Sequence, residues 1–172
     1  LSSTVQGMDL SIIIVNWNTQ DLLRACLESI HKESNDLSFE VFVVDNASKD
    51  NSVKMVQQNF PSVCLIANSE NAGFGRANNQ AYRESKGEYV LFLNPDTEIH
   101  DRAIHKMIDF MKSHPKAWLV GPRAVHPDGT IQVSWSYFPS LAMVWTNGVP
   151  LKEALAMFPL FRKILRSDAI YT

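Results

Sequence analysis

The sequence is poor in the features that mark several common kinds of protein. It has two cysteines in 172 residues, Cys26 and Cys64, whose separation suits neither a pair of metal ligands nor a disulfide framework. Both read as small hydrophobes of a packed interior. It has no basic run: 16 Lys and Arg against 18 Asp and Glu leave a net charge of −2, so the electrostatic footprint of a nucleic-acid binder is missing. Long apolar runs are absent too, every stretch being far short of the ~20 residues that cross a bilayer. The leading residues 1–9 carry neither the charged nor the apolar region of an export signal, which makes a cytoplasmic setting the expectation. The five histidines share no metal or triad spacing, and Ser48 lacks the GxSxG elbow of a hydrolase nucleophile.

What the sequence does have is a set of apolar runs that each stop at a short polar word. Ile12 to Val15 ends at Asn16, Trp17 and Asn18; Val41 to Val44 ends at Asp45; Val90 to Leu93 ends at Asn94, Pro95 and Asp96. Runs apolar on both faces are those of parallel strands covered by helices on each side. Strands are predicted over 10–15, 39–44, 62–67, 88–93 and 118–120. Between them Leu22, Leu23, Cys26, Leu27 and Ile30 fall on one helical face with Asn18 or Thr19 as cap, and further helices are predicted over 49–59, 72–85 and 103–113, with Met107 and Met111 in the apolar stripe of the last. Right-handed crossovers build these into a three-layer α/β/α sandwich with a mostly parallel central sheet. The length fits one domain.

In such a sheet ligands bind at the carboxyl ends of the strands, which directs attention to the polar words. Asp45 has two readings: a cap for the following helix, shared with Ser48 and Asp50, or a carboxylate at the rim that accepts a hydrogen bond from the imide N–H of uracil or thymine. Asp96 likewise belongs either to a structural Pro-Asp turn or to a divalent-cation site whose remaining positions are filled by a diphosphate and water. Gly73 and Gly75 open a helix in a manner suited to an anion or to an ordinary loop. They follow the third strand rather than the first, and the spacing of a dinucleotide fingerprint would need glycine at Asn78, which argues against an NAD-dependent enzyme. Arg76 is available to contact phosphate, to pair with Asp45 or Asp96, or to remain solvated.

Past Pro122 the style changes. Pro127, Asp128 and Gly129 sit between short alternating runs and predict a hairpin. Residues 140–166 are rich in aromatics and methionine, with Trp145, Phe158, Leu160 and Phe161 forming an apolar set that has no evident cover. The division expected is a binding domain over 1–135 and the start of a second segment over 136–172, as in a truncated chain.

The words SIIIVNWN, VVDNASKDNS, NAGFGRANNQA and YVLFLNPDTEI, in this order and spacing, resemble the family 2 glycosyltransferases of the GT-A fold, above all the bacterial rhamnosyltransferase-like branch. The resemblance covers about 9–125. It implies a nucleotide-sugar donor with Asp45 on the base, Asn16, Trp17 and Asn18 near the nucleoside, Asn71, Gly73, Arg76 and Asn79 as the far wall, Asn94 beside the nucleotide, and Asp96 near the diphosphate with Mg²⁺ or Mn²⁺. It further implies transfer of rhamnose, glucose or a similar sugar from a dTDP- or UDP-sugar to a saccharide or lipid-linked acceptor in polysaccharide synthesis, by inversion, at the inner face of a membrane and with room for a peripheral membrane contact or a homodimer. The alternative is a nucleotide-sugar-binding module without transfer. Two departures stand out. The family's Asp-x-Asp begins here with Asn94, and no acidic word fit to be the general base follows, which places the base beyond Thr172 or, failing that, at Asp101, Asp128 or Asp168.

Overall fold

The computed structural model of the chain describes residues 8–34 and 36–132. Within them β1 (Leu10–Asn16), α1 (Gln20–Glu33), β2 (Phe39–Asp45), α2 (Ser52–Asn59), β3 (Cys64–Ala67), α3 (Phe74–Tyr82), β4 (Tyr89–Leu93) and α4 (Ala103–Ser113) alternate along the chain. The strands form one parallel sheet in the order β3-β2-β1-β4.

The alternation of side chains along a strand divides the core into two layers. Leu10, Ile12 and Ile14 of β1 join Val41 and Val43 of β2 on one face, where Leu23, Leu27 and Ile30 of α1, Met55 and Val56 of α2, and Ile104 and Ile108 of α4 close over them. Ile13 and Val15 join Phe42 and Val44 on the other, under Ala77 and Ala81 of α3. The small residues of α3 let that helix lie close to the sheet. Burial on both faces is what the unbroken apolar runs require, and the sandwich is the one the sequence predicts.

One polar residue interrupts the central strand. Ser11 is buried; its Oγ donates to Glu40 Oε1 at 2.7 Å and accepts from the Gly87 amide at 2.8 Å. A Cβ on Gly87 would stand 2.3 Å from Ser11 N, so only glycine allows this close approach of the loop before β4.

Several element boundaries differ from expectation. Residues 118–120 form no strand: Trp118 and Leu119 are 95% and 90% exposed, and among the described residues β4 pairs with β1 alone. Three residues bracketed by Pro115 and Pro122 have too few backbone groups to build a ladder. Helix α2 begins at Ser52 rather than at Lys49 because the Lys49 amide is already bound by Asn18 Oδ1. Helix α3 begins at Phe74, after Gly73 with φ +80°. Cys64 is exposed on the short edge strand β3, contrary to its reading as interior. Cys26 is buried as expected, and burial pushes its thiol up to about 12.

The described residues fall into two compact units that meet between Pro122 and Arg123. In the second, the predicted hairpin is present: Val125 bridges Ile131 antiparallel, and Gly129, at φ +83°, donates its amide to His126 O at 2.8 Å. The expected break after 135, the apolar set from Trp145 to Phe161, and Asp168 lie outside the described residues.

Candidate functional site

The register places Asn16 beside Asp45 and Asp45 beside Ala67 at the carboxyl rim, and Leu93 opposite Ile14. Every loop that leaves this rim therefore begins at nearly the same level.

The loops after β1 and β2 are laced to each other. Asn16, fully buried, donates from Nδ2 to Asp45 Oδ2 at 2.7 Å and to Ser48 Oγ at 3.1 Å, while its Oδ1 accepts from Thr19 Oγ1 at 2.7 Å. The Asn18 amide donates to Ser48 Oγ at 2.8 Å, Asn18 Oδ1 accepts the Lys49 amide at 2.7 Å, and the Gln20 amide donates to Asp50 Oδ2 at 3.0 Å. Thr19 holds the N-cap position of α1, but its hydroxyl turns back to Asn16 instead of capping, so the cap of that helix comes from Asp50 of the neighbouring loop. Burial pushes the Asp50 carboxyl up, but the hydrogen bonds from Ser52 and from the Gln20 amide outweigh it and hold the group below its ordinary value. Two non-glycine residues here take the left-handed conformation, Asn18 at φ 56° and Ala47 at φ 62°. For alanine that costs about 1–2 kcal/mol, and the lacing on either side holds it in place.

This geometry settles where Asp45 points. Its carboxylate does not emerge at the rim: it is 2% exposed, with Oδ2 bound by Asn16 and Oδ1 by the Ser48 amide at 2.8 Å. The residue that opens onto the rim is its neighbour Asn46.

A cleft of about 360 Å³ lies beside this lacing. Val15, Trp17, Thr19 and Leu22 line it from β1 and its loop, Asn46 from the loop after β2, Asn71 and Phe74 from the loop and helix after β3, and Asn94, Pro95 and Asp96 from the loop after β4. Of the residues singled out from the sequence, the structure brings Trp17, Asn71, Asn94 and Asp96 together in the cleft. Asn16, Asn18 and Asp45 form its support, and Gly73, Arg76 and Asn79 are exposed nearby in sequence without lining it. Arg76 forms no ion pair with Asp45 or Asp96.

Asn46, Leu22 and Phe74 are the contributors that the sequence reading missed. Leu22, expected on the buried face of α1, is 50% exposed, and Phe74 is 60% exposed. Large apolar side chains left open in one concavity are a ligand surface more than a solvated one. The legible signal was an aromatic between two glycines in a polar stretch.

Among the described residues Asp96 is the single charged side chain on the cleft wall, and its carboxylate makes no hydrogen bond or ion pair with any of them. Behind it the Asn94 carbonyl accepts from Thr97 Oγ1 at 2.6 Å and lies 3.8 Å from Cys26 Sγ, which closes the turn. The described residues hold no cluster of three His, Cys, Asp or Glu side chains fit for a resident metal. A free carboxylate with the Asn94 amide beside it offers hard oxygen donors in a number that suits a cation arriving with a phosphate ligand. A larger hollow of about 510 Å³ beside α4 and the outer edge of β4 is lined mainly by apolar side chains such as Met107, Ile108 and Leu119. It lacks a convergent polar set, and the rim cleft is the candidate site.

A parallel sheet with a carboxylate-bearing cleft on its carboxyl rim is the arrangement of a ligand-binding α/β domain. The chain belongs to glycosyl transferase family 2, whose model matches residues 11–166. It is 31% identical over 112 residues to the poly(ribitol-phosphate) beta-glucosyltransferase of Bacillus spizizenii, covering 62% of this chain and 18% of that protein. It is 27% identical over 143 residues to the N-acetylglucosaminyl-diphospho-decaprenol L-rhamnosyltransferase of Mycobacterium tuberculosis, covering 77% and 46%. Among solved structures, S. aureus TarS 1-349 in complex with UDP superposes with a TM-score of 0.56 at 25% identity. The mannosyltransferase PcManGT of Pyrobaculum calidifontis, in complex with GDP-Man and Mn²⁺, does so with 0.55 at 26%. Each match covers 63% of this chain and 33% of the other. The fold is that of the GT-A glycosyltransferases, and the chain spans less than half the length of these relatives.

Proposed function

We propose that this chain is the donor-binding part of a glycosyltransferase that moves a sugar such as rhamnose or glucose from a dTDP- or UDP-sugar to a saccharide or lipid-linked acceptor of a cell-surface glycan. The observation that carries this reading is the charge of the cleft. Among the described residues its one ionic side chain is Asp96, and no lysine or arginine of theirs lines it. Asp96 and Asn94 would hold a divalent cation that arrives with the diphosphate, and such a cation would supply positive charge to stabilise the departing nucleoside diphosphate.

The remaining roles belong to this reading. Trp17 and Phe74 offer rings to the nucleoside and sugar, Asn71 offers an amide, and the laced loops under Asn16, Asn18 and Asp45 hold the floor rigid while the ligand enters. The family resemblance assigns Gly73, Arg76 and Asn79 to the far wall of the donor site; they are exposed and do not line the cleft, and Arg76 would meet a phosphate only at its margin. The general base belongs to the part of the enzyme outside these residues, and inversion at the anomeric carbon follows the family analogy. The acceptor-side contacts, a peripheral seat on the inner face of a membrane and a homodimer belong to the same reading; among the described residues no helix is long and apolar enough to cross a bilayer. The relatives' names support the substrate class.

A second reading, a nucleotide-sugar-binding module without transfer, is favoured by one observation: among the described residues no acidic side chain besides Asp96 lines the cleft to take the acceptor's proton. Calorimetry with UDP, dTDP, NAD and ATP, with and without Mn²⁺, tests the common ground of both readings. UDP or dTDP should bind in a Mn²⁺-dependent manner, and a preference for NAD would refute them. A transfer assay with dTDP-rhamnose and UDP-glucose on a panel of sugar acceptors, run on this chain and on a longer natural one, separates the two. Transfer by the longer chain supports the enzyme, and its absence supports the module.

A further inference from the structure

The cleft contains one polar side chain that is almost wholly buried and yet lines open space. Asn46 is 3% exposed. Its Oδ1 accepts a hydrogen bond from Asn68 Nδ2 at 3.0 Å. Asn68 is gripped in turn by Gln80 of α3 through a reciprocal pair, Asn68 Nδ2 to Gln80 Oε1 at 2.9 Å and Gln80 Nε2 to Asn68 Oδ1 at 3.0 Å. The backbone is fixed at both ends of this chain of amides: the Asn46 N–H donates to Asn16 O at 2.8 Å and the Asn68 N–H to Asp45 O at 2.9 Å. Neither Asn68 nor Gln80 lines the cleft.

A carboxamide presents an acceptor on one side and donors on the other. With Oδ1 of Asn46 occupied by Asn68, the group left for a ligand is Nδ2, which has no partner among the described residues. We infer that the Gln80–Asn68–Asn46 chain sets Asn46 as a hydrogen-bond donor to a carbonyl oxygen of the nucleobase, with Asn68 and Gln80 as positioning residues for that contact. The inference rests on the reading of the cleft as a nucleoside-diphosphate site.

The sheet supplies the reason for assigning the base rather than the phosphates. Asn46 follows β2 and Asp96 follows β4, with β1 between them; two strand spacings are roughly 10 Å, the reach of a nucleoside from its diphosphate to its base. Asp45, which the family resemblance assigns to the base, is sealed beneath by Asn16 and Ser48. Reading by a donor also differs from reading by a carboxylate in what it selects. It requires an acceptor oxygen, which uracil and thymine carry on both sides of the imide.

The test is calorimetry of UDP and dTDP in the presence of Mn²⁺ on the wild-type chain and on Asn46→Ala, Asn46→Asp, Gln80→Leu and the double variant Asn46→Ala/Gln80→Leu. Asn46→Ala and the isosteric Asn46→Asp should each weaken binding by about tenfold or more, the worth of one buried hydrogen bond in the first case and of an oxygen facing an oxygen in the second. Gln80→Leu should weaken binding less, and in its background the Asn46→Ala penalty should shrink, because an amide that is no longer held donates poorly whether or not its neighbour is intact. Wild-type affinity in Asn46→Asp would overturn the donor assignment. Penalties that simply add would overturn the positioning role of Gln80, which a merely structural part for that residue would produce. If the wild type binds but Asn46→Ala binds equally well, the inference falls alone; if the wild type binds neither nucleotide, the reading of the cleft falls with it.

Discussion

The centre and the edges of the rim are built on different terms. After β1 and β2 the chain turns in loops whose polar side chains are spent on each other: Asn16, Asn18, Asp45, Ser48 and Asp50 all bond across the gap. After β3 and β4, past Asn68, which is spent on Asn46 and Gln80, the cleft residues Asn71 and Asp96 stay largely unspent. Asn71 bonds only the Gly73 amide of its own turn at 2.9 Å, Asp96 bonds nothing among the described residues, and no side-chain hydrogen bond joins Asn71 to the turn at Asn94–Asp96. A polar residue at a strand end can thus be spent on architecture or left open, and in this molecule the division runs between the central strands β1 and β2 and the edge strands β3 and β4. Residue type alone does not reveal it, since aspartate and asparagine occur on both sides.

Variants at the centre and at the edges should separate the two kinds of residue. The largest effect is expected on the laced side. Asn16→Ala leaves the buried Asp45 carboxylate without its Oδ2 partner and cuts the tie to Ser48, which should cost about 3 kcal/mol of stability, read as a lower urea midpoint. A loss under about 0.5 kcal/mol, the scale of an ordinary surface change, would erase the distinction. On the open side Asp96→Asn should do the reverse. Unfolding should stay within about 0.5 kcal/mol of wild type, while the enhancement of UDP or dTDP binding by Mn²⁺ disappears in calorimetry. Persistence of that enhancement would assign Asp96 to the turn.

Smaller effects sharpen the contrast. Ala47→Gly relieves a left-handed alanine at the cost of a freer unfolded chain, for a net gain of about 0.5–1 kcal/mol, visible as a raised melting temperature. The smallest effect concerns acid. Because the folded state holds the Asp50 carboxyl below its ordinary 3.8, its contribution is complete above that value and is lost as pH falls through the lower folded one. Asp50→Asn should therefore show a shallower fall in stability between neutral pH and about pH 3 than the wild type in paired urea titrations. Equal slopes would mean that the Gln20 cap does not depend on charge.

The sheet and its layers were legible because unbroken apolar runs leave few alternatives. Ile12, Ile13 and Ile14 are all buried, which only helices on both sides of a strand achieve. Strand ends were legible for the same reason, and with them the rim on which the candidate cleft lies. The direction of each side chain past a strand end was not, because the strict alternation that governs Ile12 to Val15 lapses once the chain turns. Asp45 goes inward instead of emerging at the rim because Asn16, distant in sequence, stands ready to receive it, while Asn46, which the sequence did not single out, lines the cleft. Residues 118–120 misled for a related reason. They have the composition of a strand, but pairing depends on a neighbour that composition does not describe.

The turn that carries Asp96 rests on a thiol. Cys26 lies beneath the Asn94 carbonyl, buried and pushed up to about 12, while Cys64 stands in the open on the edge strand. A protein with one shielded and one accessible sulfur carries its own clock. An alkylating reagent marks Cys64 at once and reaches Cys26 only in the moments when α1 and the Asn94 turn part, so the delay between the two labels measures how often the carboxylate end of the cleft comes loose.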